Sequence, residues 1–157
     1  MKKISIIFVL FMTLFTFLGC VSQNNVISMM DYEINGYEVN NYANASMEVV
    51  DSSISNQGLT VLFNYSGDNN GSTGSWFSLF YYEDNVWKDP QYIVDEDVMW
   101  TSEAYIVEKN KTSEMQVNWD WLYGELSTGR YLIVKQFINH REPGDYDIYY
   151  LASEFTI

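Results

Sequence analysis

Apolar and polar positions alternate along this chain in short runs, and no helical period is sustained. Residues 47–54 form a first run. Leu59, Val61, Phe63 and Tyr65 then alternate with Thr60, Leu62, Asn64 and Ser66, the period of a half-buried strand. Residues 76–83 read as a strand with aromatic side chains on both faces. Asp84-Asn85 makes a tight turn, and 86–88 returns as its hairpin partner. A short strand at 104–108 follows, then Met115, Val117, Trp119 and Trp121 at every second position, which predicts an inward-facing strand. Residues 131–138 open with Tyr-Leu-Ile-Val, a dense run of the kind buried on both faces. The last strand is 148–157. Between these runs, 55–58 and 109–112 read as turns, 67–74 as a polar, glycine-rich loop, and 139–147 as a hairpin loop. Seven or eight short antiparallel strands with regular turn signals predict an all-β sandwich.

The stretch 119–135 carries the most local information. Gly124 and Gly129 punctuate a corner between two strands, where positive φ costs glycine little. A single helical turn is expected at 122–126. Tyr131 stands at the start of a late, apolar strand just past that corner. Its ring should pack in the core with Trp119, while its hydroxyl bonds to backbone near Leu126, the arrangement of a tyrosine corner.

The N-terminal segment reads differently. Lys2-Lys3 precede an apolar stretch over 4–18, too short and too closely followed by polar residues to span a bilayer comfortably. Residues 1–19 are therefore expected to be a signal peptide. Residues 20–45, with an Asn-, Ser- and Tyr-rich composition and no clear period, are expected to be a tether that orders in part near 32–39. The domain proper is placed at 46–157.

Charge and composition narrow the chemistry. Eight basic residues stand against 21 acidic ones, a net of −13, and this field repels phosphate backbones and so argues against nucleic acid. One cysteine and one histidine leave no Cys/His or two-histidine metal site in this chain. His140, beside Arg141-Glu142-Pro143-Gly144, reads as a solvated loop residue rather than a catalytic base. Asp95-Glu96-Asp97, Asp68-Asn69-Asn70 and Asp145-Tyr146-Asp147 offer oxygens but not the spacing of a calcium loop. No metal, cofactor or catalytic residue is expected.

Aromatic residues are the notable excess, with 5 Trp, 13 Tyr and 9 Phe. Adjacent strand residues face opposite ways, so not all of them can be buried. Trp76, Trp87, Trp100 and Trp121 are the candidates for exposure. Exposed aromatics can stack on sugars or anchor a protein partner, and they also serve strand propensity and cross-strand pairing.

Two resemblances add to this reading. Phe17-Leu18-Gly19-Cys20 resembles the lipobox of bacterial lipoproteins, with Gly before the cysteine. The resemblance implies cleavage before Cys20, a diacylglycerol on its thiol, and an extracytoplasmic location at the cell membrane. From 47 to 135 the chain resembles a family of bacterial immunoglobulin-like domains. The shared features are Leu59-x-Val61-x-Phe63-x-Tyr65, Trp76-Phe77-Ser78-Leu79, Trp87-Lys88, and the corner Trp119, Tyr123-Gly124-Glu125-Leu126, Gly129-Arg130-Tyr131. This implies an immunoglobulin-like β-sandwich, an extracytoplasmic module and no catalytic residues. The expected function is non-catalytic binding of a protein or glycan at the bacterial surface. The alternative is an accessory or sensor domain partnering a membrane protein such as a membrane-bound peptidase.

Overall fold

The computed structural model describes residues 32–34, 36–95 and 97–157. The signal peptide, Cys20 and the first part of the expected tether lie outside the described residues. The elements follow in order as β1 (Tyr32–Ile34), β2 (Tyr37–Val39), β3 (Ala45–Val49), β4 (Gly58–Tyr65), β5 (Gly71–Gly74), β6 (Phe77–Glu83), β7 (Val86–Lys88), β8 (Ala104–Val107), β9 (Lys111–Asn118), α1 (Asp120–Tyr123), β10 (Arg130–Glu142) and β11 (Asp145–Thr156). They form two sheets facing each other, an all-β sandwich. The smaller sheet runs β3-β4-β9. The larger is built on β10, which pairs antiparallel with β11 on one side and with β6 and then β5 on the other.

The alternation on β4 becomes the inner face of the small sheet. Leu59, Val61, Phe63 and Tyr65 point at Phe77, Leu79, Tyr131, Ile133, Phe137, Leu151 and Phe155 from the large sheet, and all are buried. Burial of this apolar area is the main source of stability. β10 is buried on its other face too, through Leu132 and Val134. That outer face needs a cover, and β1–β2 provides it. Ile34 and Val39 pack there against Phe80, Leu132, Val134 and Ala152. β2 adds to β11 by a parallel bridge at Val39–Tyr150. Asn40 extends the join, because its side-chain amide donates to the Ala152 carbonyl (3.1 Å) and accepts from the Ala152 N–H (2.9 Å). β1 and β2 are thus the order expected near 32–39, packed onto the large sheet, and β3 starts at Ala45, one residue before the expected domain boundary. Two buried residues, Ile34 and Val39, in a polar setting were enough to close a second small core.

Other differences have local causes. The expected loop at 67–74 contains β5. Gly71, Ser72 and Thr73 are buried between β10 and β8. Gly71 is required there, because a Cβ would lie 2.5 Å from the Phe137 ring. Thr73 Oγ1 donates to the Gln136 carbonyl at 2.6 Å. The β10–β11 hairpin extends almost to its tip, and only Pro143-Gly144 separates the strands where a loop over 139–147 was expected. His140 is thus an exposed strand residue, with Nε2 2.8 Å from Ser72 Oγ. The turn at Asp84-Asn85 has both residues at positive φ (54° and 65°), as a tight two-residue hairpin turn requires.

Lys135 is the least expected core residue. It alternates with Ile133 and Phe137 and is fully buried. Its ammonium donates to the carbonyls of Gly74 (2.9 Å) and Trp76 (2.8 Å). These carbonyls lie where β10 changes partner from β6 to β5, so Lys135 caps groups that the ladder leaves unpaired. Burial holds its pKa down at about 7.

Candidate functional site

The corner comes first because it sets the position of everything near it. β9 ends at Asn118, one residue before Trp119. The chain then makes the single turn α1, two residues earlier than the expected 122–126, and leaves it through Gly124 at φ +69°. Trp119 is fully buried, and its Nε1 donates to the Asn56 carbonyl at 2.9 Å. Tyr123 is buried against Phe77, and its hydroxyl accepts the Leu79 N–H at 3.5 Å. Burial, with Tyr92 beside it, pushes the Tyr123 hydroxyl well above its ordinary pKa. The Tyr131 ring stacks on Phe155 at 5.5 Å, and its hydroxyl donates to the Ser127 carbonyl at 2.8 Å. The acceptor is thus one residue past Leu126. Gly129 does not take positive φ. It pairs its backbone with Ile157 in both directions, at 3.1 and 3.0 Å. These five residues pack and hydrogen-bond within the corner.

The helical turn ends the alternation of β9, and Trp121 consequently points outward, not inward. It is 46% exposed. The other three tryptophans expected at the surface are half-buried. Trp76 packs between Tyr37 (5.7 Å) and Tyr150 (5.8 Å), under the cover made by β1–β2. Trp87 packs on Tyr82 at 5.0 Å, and the Arg130 guanidinium lies 4.5 Å from the Tyr82 ring and 5.3 Å from the Trp87 ring. Arg130 also donates to Glu154 from Nε (2.9 Å) and Nη2 (2.6 Å). Trp100 meets Phe77 edge-on at 5.0 Å and Trp121 edge-on at 5.5 Å.

Trp100 and Trp121 form one wall of an open cleft of about 400 Å³, with Phe77 and Met115 at its base and Tyr105 and Glu103 beside them. Met99 lies at the rim, 89% exposed. The described residues of 89–103, which bring Trp100 to this wall, form no strand or helix. They are pinned at both ends. The Ile93 N–H donates to the Leu122 carbonyl (2.9 Å) and Tyr92 packs on Tyr123 (5.2 Å). At the far end Ser75 Oγ donates to the Thr101 carbonyl (3.1 Å) and Thr101 Oγ1 to Ser75 Oγ (3.0 Å). Trp121 is oriented by its own Nε1, which donates to the Asn118 carbonyl at 3.1 Å. The Tyr105 hydroxyl donates to Glu103 at 3.1 Å, and that bond raises its pKa.

Among the described residues, no group of three or more His, Cys, Asp or Glu could hold a metal ion. Near Asp68-Asn69-Asn70 several oxygens and amides have protein partners. Lys109 Nζ donates to the Asp68 carbonyl, Asn69 donates to the carbonyls of His140 and Arg141, and Asn70 Oδ1 accepts the Lys109 N–H. Arg141 pairs with Asp145 and Asp147. Sequence reasoning named Trp100 and Trp121 but not their partners Phe77, Tyr105 and Glu103, because these come together only through the β6, β8 and α1 placements.

Neither a curated protein nor a solved structure matches the chain. A family model does: residues 41–156, from just before β3 to the end of β11, match the bacterial Ig-like domain. The match spans the two-sheet body, its corner and the segment 89–103 alike, and the chain belongs to the bacterial Ig-like domain family.

Proposed function

We propose that this chain is a non-catalytic interaction module that works outside the cytoplasmic membrane, anchored by a lipid on Cys20, and that it meets its partner through the Trp100–Trp121 cleft. Membership of the Ig-like family supports the interaction role. The observation that carries the reading is the cleft itself. Here Trp121 and Tyr105 stay exposed and are held in place beside the half-buried Trp100, in a recess. Rigid aromatic anchors in a recess are the usual energetic centre of a binding surface.

The accessory reading also has support. Only eleven residues, 21–31, separate Cys20 from β1. Fully extended, they reach at most about 40 Å, which keeps the domain close to the ectodomains of neighbouring membrane proteins.

The test combines fractionation with cross-linking in a bacterial host. The wild-type chain should carry a fatty-acid label in the membrane fraction, and a photoreactive residue at Met99 should give discrete adducts. Cys20→Ala should lose the label and leave the membrane pool. An unlabelled wild-type chain would remove the anchor from this reading, and a labelled chain without adducts at position 99 would remove the cleft.

A further inference from the structure

Two of the steep aromatic pairs among the described residues stand beside a carboxylate and bear comparison, and one of them holds a cation. At the first, Tyr82 and Trp87 meet at 60° and Arg130 lies over both rings, with Glu154 accepting its hydrogen bonds. At the second, Trp100 and Trp121 meet at 76°, and Glu103 lines the same cleft, hydrogen-bonded to Tyr105. The parts are the same: two rings at a steep angle and a carboxylate. Only the cation is missing. The segment 89–108 has six acidic residues and no Lys or Arg. The basic residues that bracket it are already engaged, Lys88 by Glu83 and Asp84, and Lys109 by the Asp68 carbonyl.

We propose that the Trp100–Trp121 cleft receives the lysine or arginine side chain of a basic peptide segment on a partner protein, with the cation against the indole faces and Glu103 as its counter-charge. This rests on the interaction-module reading and names the partner's chemistry.

Charge complementarity selects this occupant. A cation over Trp is attracted by the ring quadrupole, and more strongly once partly desolvated. A lysine or arginine stem also offers the methylenes to cover Phe77 and Met115. The chain's net charge of −13 draws cations toward it and keeps anionic peptides away. A neutral sugar could hydrogen-bond to those acids but would gain no charge attraction from them. It would also need an open, flat ring face, whereas here the two indoles stand nearly perpendicular and Trp100 is half-buried.

The experiment is a calorimetric and tryptophan-fluorescence titration of the full chain in a zwitterionic detergent. Four probes are compared: a capped peptide of alternating lysine and leucine, the same peptide with every lysine acetylated, its glutamate-for-lysine counterpart, and chitohexaose. The lysine peptide should bind at least tenfold more tightly than its acetylated form, and more weakly as salt rises. Trp121→Ala and Glu103→Gln should each weaken it about tenfold, while Trp87→Phe should leave it unchanged. Glu103→Gln is nearly isosteric, so it reports on charge even if Trp121→Ala disturbs the fold. Equal affinity for the acetylated peptide, or lysine-peptide binding indifferent to both cleft variants, overturns the proposal. So does absence of binding by the lysine peptide at millimolar concentration. Chitohexaose binding lost in Trp121→Ala would also overturn it, while leaving the interaction module intact.

Discussion

Trp119 and Trp121 are two residues apart and live in different environments. Trp119 is fully buried, and its indole N–H reaches back to a carbonyl 63 residues earlier in the chain. Trp121 is half in water, and its N–H reaches only three residues back. One helical turn separates them and sends one side chain into the corner and the other into the cleft. The difference teaches where the chain commits its stability. The corner joins β4, α1, β10 and β11 into one packed unit. The cleft is hung on that unit by the segment 89–103, through a few hydrogen bonds and ring contacts. Removing a residue on the corner side should therefore cost folding, and removing one on the cleft side should cost little stability.

The sharpest way to break this contrast is Trp119→Ala. It opens a cavity and orphans the Asn56 carbonyl, with an expected loss of about 3–5 kcal/mol in urea unfolding. A variant that unfolds at the wild-type midpoint would show that the corner is not where the stability lies. Tyr131→Phe isolates the polar part of the corner. It removes the donor to the Ser127 carbonyl, and a loss of about 1–3 kcal/mol with an unchanged denaturant slope is expected.

Lys135 sharpens the comparison by pH. Its folded pKa of about 7 lies below the ordinary 10.5. Between those values the unfolded chain binds more protons than the folded one, so stability rises with pH. The gain is complete above about 10.5 and is lost as pH falls toward 7. Unfolding midpoints should climb from pH 7 to 9 in the wild type and stay flat in Lys135→Met. A climb that survives the substitution would place the titrating group elsewhere. Tyrosines whose hydroxyls are pushed up by burial, Tyr131 among them, act in the opposite direction above pH 10.

The smallest effect on stability is expected from Trp121→Ala, about 1 kcal/mol or less, because half of the side chain is already solvated. Heat or urea denaturation of this variant beside Trp119→Ala gives the comparison in one experiment. Similar losses from both would erase the distinction between corner and cleft.

The corner was legible in the sequence because its signals are local: a tryptophan at the end of an alternating run, Gly124 at the bend, and Tyr131 at the head of an apolar strand. β4 was legible for the same reason, through Leu59, Val61, Phe63 and Tyr65, whereas the run expected as a strand over 47–54 is one only at Ala45–Val49 and turns at Asp51–Ser53. β5 was not legible. Gly-Ser-Thr-Gly carries turn chemistry, and only the Phe137 ring above Gly71 and the backbone of β10 make it a strand. Some order near 32–39 was legible, but the cover it forms was not, because its pattern is two buried residues five apart. The sequence did, however, contain the demand for it: a run buried on both faces, 131–134, must have something on each side. The cleft was legible as residue types and not as a place, since β6, β8, α1 and the segment 89–103 meet there only in three dimensions.

Asn40 has a mechanical consequence. Its backbone N–H donates to Tyr150 at 2.8 Å, and its side chain exchanges two more hydrogen bonds with Ala152. A load arriving at Tyr32 reaches β1 and β2 first and passes to the sandwich through Asn40, the Val39–Tyr150 bridge and the packing of Ile34 and Val39. A zipper of short strands opens bond by bond under tension, unlike long strands sheared end to end. The N-terminal hairpin is therefore the element that yields first, and its release would bare Phe80, Leu132 and Val134 while the two-sheet body stays closed.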